Sequence, residues 1–115
     1  GVGFLRCGAR PPTAMIVELV DGRRLRAEGI VHDGANIHLK RGGFSVSLPY
    51  TMLRSVNAEE KEGVNYTERG LVIVVEGAEP RNNAGFERSN TRAAITTPEG
   101  ESAINDEDLL EIRLP

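Results

Sequence analysis

The stretch MIVELVDGRRLRAEGIVHDGANIHLKRGGFSVSLPYTMLRSV, residues 15–56, decides the fold class of this chain. Short apolar runs with period-two alternation recur along it, and each run ends at a turn signal that contains glycine. The turn signals are Asp21-Gly22, His32-Asp33-Gly34 and Arg41-Gly42-Gly43. Because period-two alternation is typical of half-buried strands and Asp-Gly favours tight hairpins, the pattern predicts an antiparallel β-meander.

Four strands are expected in this stretch, at about residues 14–20, 23–31, 36–40 and 44–48. On the last hairpin, alternation predicts that one set of side chains points into the core: Ile37, Leu39, Phe44, Val46 and Leu48. The intervening set then faces water: His38, Lys40, Ser45 and Ser47. A short piece from Met52 to Val56, after Pro49, is expected to pack back on the sheet.

The second half of the chain carries a less regular pattern. Residues 57–69 are polar and indicate a turn or one helical turn followed by a loop. The run LVIVV at 71–75 lacks alternation, which predicts a strand covered on both sides. Residues 77–92 hold one proline and several turn-forming residues, so we expect a long functional loop or a partly disordered segment.

The C-terminal residues again predict strands. A hairpin is expected about Pro98-Glu99-Gly100, with a last strand at 109–114. Between them, residues 105–108 (NDED) could cap a brief helical turn. The predicted fold class is therefore all-β: a small antiparallel barrel or meander with additional C-terminal strands.

The domain organisation has two possible forms. Residues 1–13 are expected to be a flexible leader, because consecutive prolines prevent early strand pairing, and residues 14–115 a single β domain. A shift of the sequence that places Gly29 on Gly85, which we call the repeat shift, also aligns Leu53 with Leu109 and superimposes apolar positions of the two halves. Two tandem units, 14–57 and 70–114, would explain this register, although two β-rich halves also share apolar positions without duplication.

Composition limits the setting of the protein. The 115 residues suit one domain, and with three Phe, two Tyr and no Trp the core must be built from Val, Ile and Leu. The single Cys7 excludes an internal disulfide. No apolar run is long enough for a membrane span, and the start lacks a signal-peptide pattern, so we expect no membrane contact and a cytoplasmic location.

The formal net charge of −3 is distributed unevenly. Residues 1–57 carry eight Arg or Lys and four Asp or Glu, whereas residues 58–115 carry six and thirteen. The favoured interpretation is that the loops of the second half are acidic and solvated by water, although such an asymmetry can also direct association between copies or toward a charged partner.

Catalytic and metal-binding chemistry find little support in the sequence. His32, Asp33 and His38 combine imidazole with carboxylate, but His32 and Asp33 fall at a predicted turn and no third ligand has a recognisable spacing. Nucleophile-elbow, Cys/His and phosphate-loop motifs are lacking. We therefore predict no catalytic residues, no cofactor, no metal and no enzymatic activity, with a small metal-dependent enzyme as the remote alternative.

A basic surface in the first half is the candidate contact for RNA or a partner. Its members are Arg23, Arg24, Arg26, Asn36, His38, Lys40, Arg41 and Arg54. Clustered cations are what phosphate contacts require, but the favoured interpretation of this cluster is a solvated strand face on which arginine stems cover apolar surface. Single-strand stacking is poorly supported, because Phe44 is expected in the core rather than on this surface.

The segment from Val17 to Val56 resembles the small barrel of Sm-like proteins. The shared features are an Asp-Gly turn after the first strand, Gly29 in a bent second strand, Asp33 and Asn36 before a hairpin, and a closing Leu53-Arg54-Ser55. The resemblance covers the first half of the chain only, and SH3-like and pleckstrin-like barrels share parts of it. It implies barrel geometry and, as Sm-like proteins hold uridine-rich RNA at such a loop, a possible RNA contact.

The expectation for function is a non-enzymatic protein-binding or assembly module that self-associates. Exposed strand edges, the segment 77–92 and the charge asymmetry would contact a protein partner, including another copy of the chain. The alternative is an RNA-binding module of the Sm-like kind that uses the basic first half.

Overall fold

The computed structural model describes residues 13–59, 70–90 and 92–115 of the chain. These residues form eleven strands: β1 Met15–Leu19, β2 Arg24–Ala27, β3 Gly29–Asp33, β4 Asn36–Arg41, β5 Phe44–Pro49, β6 Leu53–Ala58, β7 Leu71–Val75, β8 Arg81–Ser89, β9 Arg92–Thr97, β10 Gly100–Ile104 and β11 Leu109–Arg113. Two 3-10 turns, Tyr50–Met52 and Asp106–Asp108, precede β6 and β11. The predicted all-β class is confirmed.

The expected leader lies outside the described residues except for Thr13, and so does most of the predicted loop 57–69. The expected brief helical turn near residue 106 is present as the second 3-10 turn. The side chain of Asn105 makes no capping hydrogen bond to this turn, and its amide donates to the carboxylate of Asp108 at 3.4 Å.

All the strands pair antiparallel in one curled sheet, with β2-β1-β6-β8-β7-β11-β3-β4-β5 as the main order. β9 pairs with β8, and β10 pairs with β9. The predicted second strand is divided at Glu28, whose backbone N–H donates to the Lys40 carbonyl at 2.8 Å. β2 before this point pairs with β1, and β3 after it pairs with β4, so the bend carries the chain from one part of the sheet to the other.

The core is mainly aliphatic, as the composition predicts, and it also contains the rings of Tyr50 and Phe86. Ile37 and Leu39 of β4 are fully buried, and the run at 71–75 forms a strand with four of its five residues buried. Burying such a side chain contributes about 1.5–3 kcal/mol relative to leaving it in water. The alternation on β4 and β5 therefore fixes which face of the hairpin packs inward.

Phe44 departs from the prediction, because 64% of it is exposed. Phe44 does point to the predicted face of β5, the face that also carries the half-buried Val46 and Leu48. However, Phe44 stands at the tip of the β4–β5 hairpin, opposite Arg41, beyond the packed side chains of the core. The prediction of a core phenylalanine at this position was wrong because the hairpin extends past the core.

Residues 81–89 form the longest strand of the structure, not part of a loop. Pro80 precedes β8, and Asn83 takes a positive φ of 53° within it. Ala84 and Phe86 alternate inward and are buried. The sequence suggested an irregular segment because a small residue occupies one inward position and turn-forming residues occupy the outward ones.

The two units, residues 14–57 and 70–114, contain equivalent elements at equivalent sequence positions. The repeat shift, which places Gly29 on Gly85, relates β1 to β7, β4 to β9 and the first 3-10 turn to the second, with matching first and last residues. The burial pattern of β4 is also the same, residue by residue, as that of β9. The common register is a property of the fold, whereas its origin by duplication stays a prediction.

The last strand of each unit pairs with a strand of its own unit and also with a strand of the other unit: β6 lies between β1 and β8, and β11 lies between β7 and β3. In β6 of the first unit, Val56 lies opposite Phe86 of β8. In β11 of the second unit, Ile112 lies opposite Ile30 of β3. These two pairs occupy equivalent positions under the repeat shift, so the pairing between the units is reciprocal and joins them into one structure.

Candidate binding grooves and a central polar cluster

A groove of about 480 Å³ lies between β2 and the tip of the β4–β5 hairpin, and we call it the basic groove. Leu25 and Ala27 give it an apolar part. The charged and aromatic side chains that line it are Arg24, Arg26, Glu28, Arg41 and Phe44. Arg24 and Arg26 lie on the same side of β2, because residues two apart on a strand point to the same side.

The three arginines of the basic groove differ in their surroundings. Arg24 and Arg26 are exposed, while Arg41 is half-buried at the end of β4. The Arg26 guanidinium lies 2.9 Å from the carboxylate of Glu59, which offsets part of its charge. Arg24 and Arg41 therefore define the cationic character of the groove.

The exposed ring of Phe44 completes the basic groove on the hairpin side. Burial of this ring in a complex would release water from apolar area. An aromatic ring among guanidinium groups offers apolar contact and charge to the same ligand. This combination was missed at the sequence level because Phe44 was assigned to the core.

A second groove of about 480 Å³ occupies the equivalent place in the other unit, and we call it the acidic groove. It lies between the start of β8 and the tip of the β9–β10 hairpin, so it repeats the frame of the basic groove at positions related by the repeat shift. Glu99 and Glu101 line it from the hairpin, and Arg81 lines it from β8. Gly100 stands where Phe44 stands in the first unit.

The other residues expected to contact RNA or a partner lie apart from the basic groove. Arg23 forms an ion pair with Asp21 at 2.9 Å, and the Arg23 backbone N–H, donating to the same carboxylate, holds the pKa of Asp21 below its usual value. Asn36 and Lys40 are exposed on β4, and Arg54 is exposed on β6.

His38 lies on the outer face of the β4–β5 hairpin, as predicted. Its Nε2 is 3.3 Å from the carboxylate of Asp33, and the Ser47 hydroxyl is 2.7 Å from its Nδ1. His32, in contrast, faces the second unit, where its Nδ1 donates to the carbonyl oxygen of Leu109 at 2.8 Å. The two histidines therefore make separate contacts, and within residues 13–59, 70–90 and 92–115 no group of three or more His, Cys, Asp or Glu is placed to hold a metal ion.

A polar cluster, which we call the central cluster, joins the two units and was not anticipated from the sequence. The Tyr50 hydroxyl donates to Asp106 at 2.7 Å, and the Arg88 guanidinium contacts the same carboxylate at 3.4 Å. Arg88 also lies over the Tyr50 ring at 4.5 Å, while the His32 ring stacks on Tyr50 with centroids 4.3 Å apart. Burial, then the hydrogen bond to Asp106, raises the pKa of Tyr50 well above its usual value.

The members of the central cluster are related by the repeat shift. Tyr50 corresponds to Asp106, and His32 corresponds to Arg88. Arg88 donates to the carbonyl oxygen of Leu53, just as His32 donates to that of Leu109. The repeat shift contained the signal for this cluster, but the paired residue types differ too much to be recognised.

Comparisons of the chain with protein-family models, curated proteins and solved structures found no match. The resemblance to Sm-like barrels therefore stays a prediction from the sequence. No helix in the described parts of the chain is long and apolar enough to cross a membrane.

Proposed function

We propose that the protein is a non-enzymatic assembly module that binds protein, and in the first place another copy of itself, through the open edges of its sheet. The observation that carries the proposal is the position of β5 and β10. Within the described residues, β5 pairs only with β4, and β10 pairs only with β9. A strand of this kind directs unpaired backbone groups outward and can accept a strand from another molecule.

Exposed apolar surface at one of these edges supports the same function. Phe44 begins β5 and is largely exposed, so a contact along this edge would bury an aromatic side chain as well as pair backbone groups. Aromatic anchors of this kind contribute a large share of the binding energy in protein interfaces. The edge and the basic groove thus form one continuous surface.

Proline substitution tests the use of the edges. Arg41 and Phe44 flank a two-residue turn, and residues in this position form a hydrogen-bonded pair, each N–H donating to the other's carbonyl. Because hydrogen-bonded and non-hydrogen-bonded pairs alternate along a ladder, the N–H of the next residue, Ser45, points away from β4. By the same register, the N–H of Ala103 points away from β9. Ser45→Pro and Ala103→Pro remove these donors while leaving the ladders intact, and Ser45→Ala and Ala103→Ser are the matched controls.

Sedimentation measurements over a range of concentrations should show a rising mean mass for the wild type and both controls. The proline variants should keep the circular dichroism of the wild type and remain closer to monomer mass. A wild-type protein that stays monomeric up to about 1 mM, where an association worth about 4 kcal/mol is visible, would contradict self-association.

RNA binding is the second candidate, and the exposure of Phe44 beside Arg24 and Arg41 favours it. A single-stranded base could stack on the ring while its phosphate contacts a guanidinium group. The overall net charge of −3 and the carboxylates of the second unit oppose it, which is why assembly is preferred.

Fluorescence anisotropy with a labelled single-stranded oligouridylate at low salt separates the two candidates. If RNA binds in the basic groove, Phe44→Ala should weaken binding by about 1–3 kcal/mol, as expected for a lost stacking platform. Arg54→Ala, which lies outside the groove, is the control and should have a smaller effect. Equal binding by wild type and Phe44→Ala, or no binding at low salt, would remove this candidate.

A further inference from the structure

The basic and acidic grooves are two copies of one frame with opposite charge. The walls are β2 and the tip of the β4–β5 hairpin in the first unit, and the start of β8 and the tip of the β9–β10 hairpin in the second. The first frame carries Arg24 and Arg41 where the second carries Pro80 and Thr97. The second frame carries Glu99 and Glu101 where the first has Gly43 and Ser45.

The shape of the acidic side suits insertion into a groove. Residues 98–101 (PEGE) form the exposed tip of the β9–β10 hairpin. The turn has two residues, Pro98 and Glu99, and the first pair of the ladder beyond it is Thr97 with Gly100. Glu99 and Glu101 are thus carried on a narrow, exposed projection. The basic groove, with its volume of about 480 Å³, has room for side chains from such a tip.

Charge decides which surfaces of two copies can meet. Contact between two basic grooves or between two acidic hairpins would bring like charges together, which is destabilising. Contact between a basic groove and an acidic hairpin pairs guanidinium with carboxylate, the geometry in which arginine forms its strongest hydrogen bonds. The complementary partner for the basic groove is therefore present on the chain itself.

We infer that copies of this protein join head to tail, with the acidic hairpin of one copy seated in the basic groove of the next. Glu99 and Glu101 meet Arg24 and Arg41, and Phe44 covers the pair from the hairpin side. The contact is heterologous, because each copy offers a different surface to each neighbour, and it permits growth beyond a dimer. This inference rests on the proposed self-association and specifies its surfaces.

Charge reversal tests the pairing directly. Two double variants are required, Arg24→Glu with Arg41→Glu, and Glu99→Arg with Glu101→Arg. Each should lower the association constant by roughly tenfold or more, because each creates like-charge contacts at the same interface. An equimolar mixture of the two, and a single chain carrying all four changes, should recover association, since opposite charges again face each other.

Arg54→Glu and Glu107→Lys serve as matched controls, because both residues are exposed and line neither groove. Circular dichroism and the urea midpoint should show that all variants remain folded. Association of the wild type should also weaken as salt is raised, through screening of exposed charges.

The outcomes separate this inference from the proposed function. A wild type that is monomeric at all concentrations overturns both. A wild type that associates, with the double variants unaffected, leaves self-association standing and overturns the groove-to-hairpin contact. Loss of association in both double variants without recovery in the mixture or in the fourfold variant overturns it as well, because the residues would then not face each other.

Discussion

At the scale of single residues, the contact between Tyr50 and Asp106 is the most informative in the described chain. The hydroxyl donates from one unit to a carboxylate of the other, and Arg88 contacts both partners. Tyr50 is 5% exposed, so its hydroxyl depends on this acceptor in place of water. Because the hydroxyl can donate only while it is protonated, the stability of the fold depends on the protonation of Tyr50.

Tyr50→Phe should lower the free energy of unfolding by about 1–2 kcal/mol near pH 7, because Asp106 loses a donor but keeps Arg88 and some solvent. The pKa of Tyr50 is raised in the folded protein, so the stabilisation is complete below the usual tyrosine pKa of about 10. Above that value the unfolded chain loses the proton first, and stability falls with rising pH.

Urea unfolding of both proteins near pH 7 and near pH 11 checks this linkage. The wild type should lose stability over that interval by more than Tyr50→Phe does, so that the difference between them shrinks. A difference that stays constant or grows at alkaline pH would show that Tyr50 has no raised pKa.

At the scale of secondary-structure elements, a strand could be predicted from the sequence only where its inward-facing residues are strongly apolar. β4 was predicted because Ile37 and Leu39 are aliphatic and the residues between them are polar, so the alternation was visible. β8 was missed because its inward positions hold the small Ala84 and the cationic Arg88 beside Phe86, and because its alternation begins only after Asn83, where φ is positive. Alternation of burial is a property of the backbone, but only strongly apolar inward residues make it visible in a sequence.

The same reasoning limits how far the candidate site could be predicted. The basic residues of β2 were recognised from their spacing alone, since residues two apart share a face. Their proximity to Arg41 and Phe44 depends on the bend at Glu28 and on the length of the β4–β5 hairpin beyond the core. Gly29 marks the bend and Gly42-Gly43 marks the hairpin tip in the sequence, but residue type does not show that the tip extends past the core and comes close to β2.

Two phenylalanines provide a test at this scale. Phe86→Ala in β8 should lower the free energy of unfolding by about 3–5 kcal/mol, because the ring is 2% exposed and lies between Val56 and Ile95. Phe44→Ala should change it by no more than about 0.5 kcal/mol, because the ring is exposed. Urea midpoints of the two variants measure both effects, and a small loss for Phe86→Ala would mean that residues 81–89 do not form a packed strand.

At the scale of the whole molecule, the strands that pair with both units make the two units interdependent. β6 pairs with β1 on one side and with β8 on the other, and β11 likewise pairs with both β7 and β3. The central cluster adds polar contacts between the same two units. Neither unit can therefore open fully without breaking backbone pairing in the other, and unfolding should be a single cooperative transition.

Equivalent core substitutions in the two units test this cooperativity. Leu39 of β4 and Ile95 of β9 are both fully buried and stand in equivalent positions. Leu39→Ala and Ile95→Ala should each lower the free energy of unfolding by about 2–5 kcal/mol, while Leu110→Ala, at a surface position of β11, should change it by about 0.5 kcal/mol or less.

Amide hydrogen exchange, followed by NMR at concentrations low enough to keep the protein monomeric, distinguishes one cooperative structure from two independent units. In an interlocked fold, the most protected amides exchange through global unfolding, so Leu39→Ala should accelerate exchange in β9 by the same factor as in β4. Ile95→Ala should act on β4 in the same way. If each variant instead accelerated only the amides of its own unit, the reciprocal pairing of β6 with β8 and of β11 with β3 would not hold the two units together.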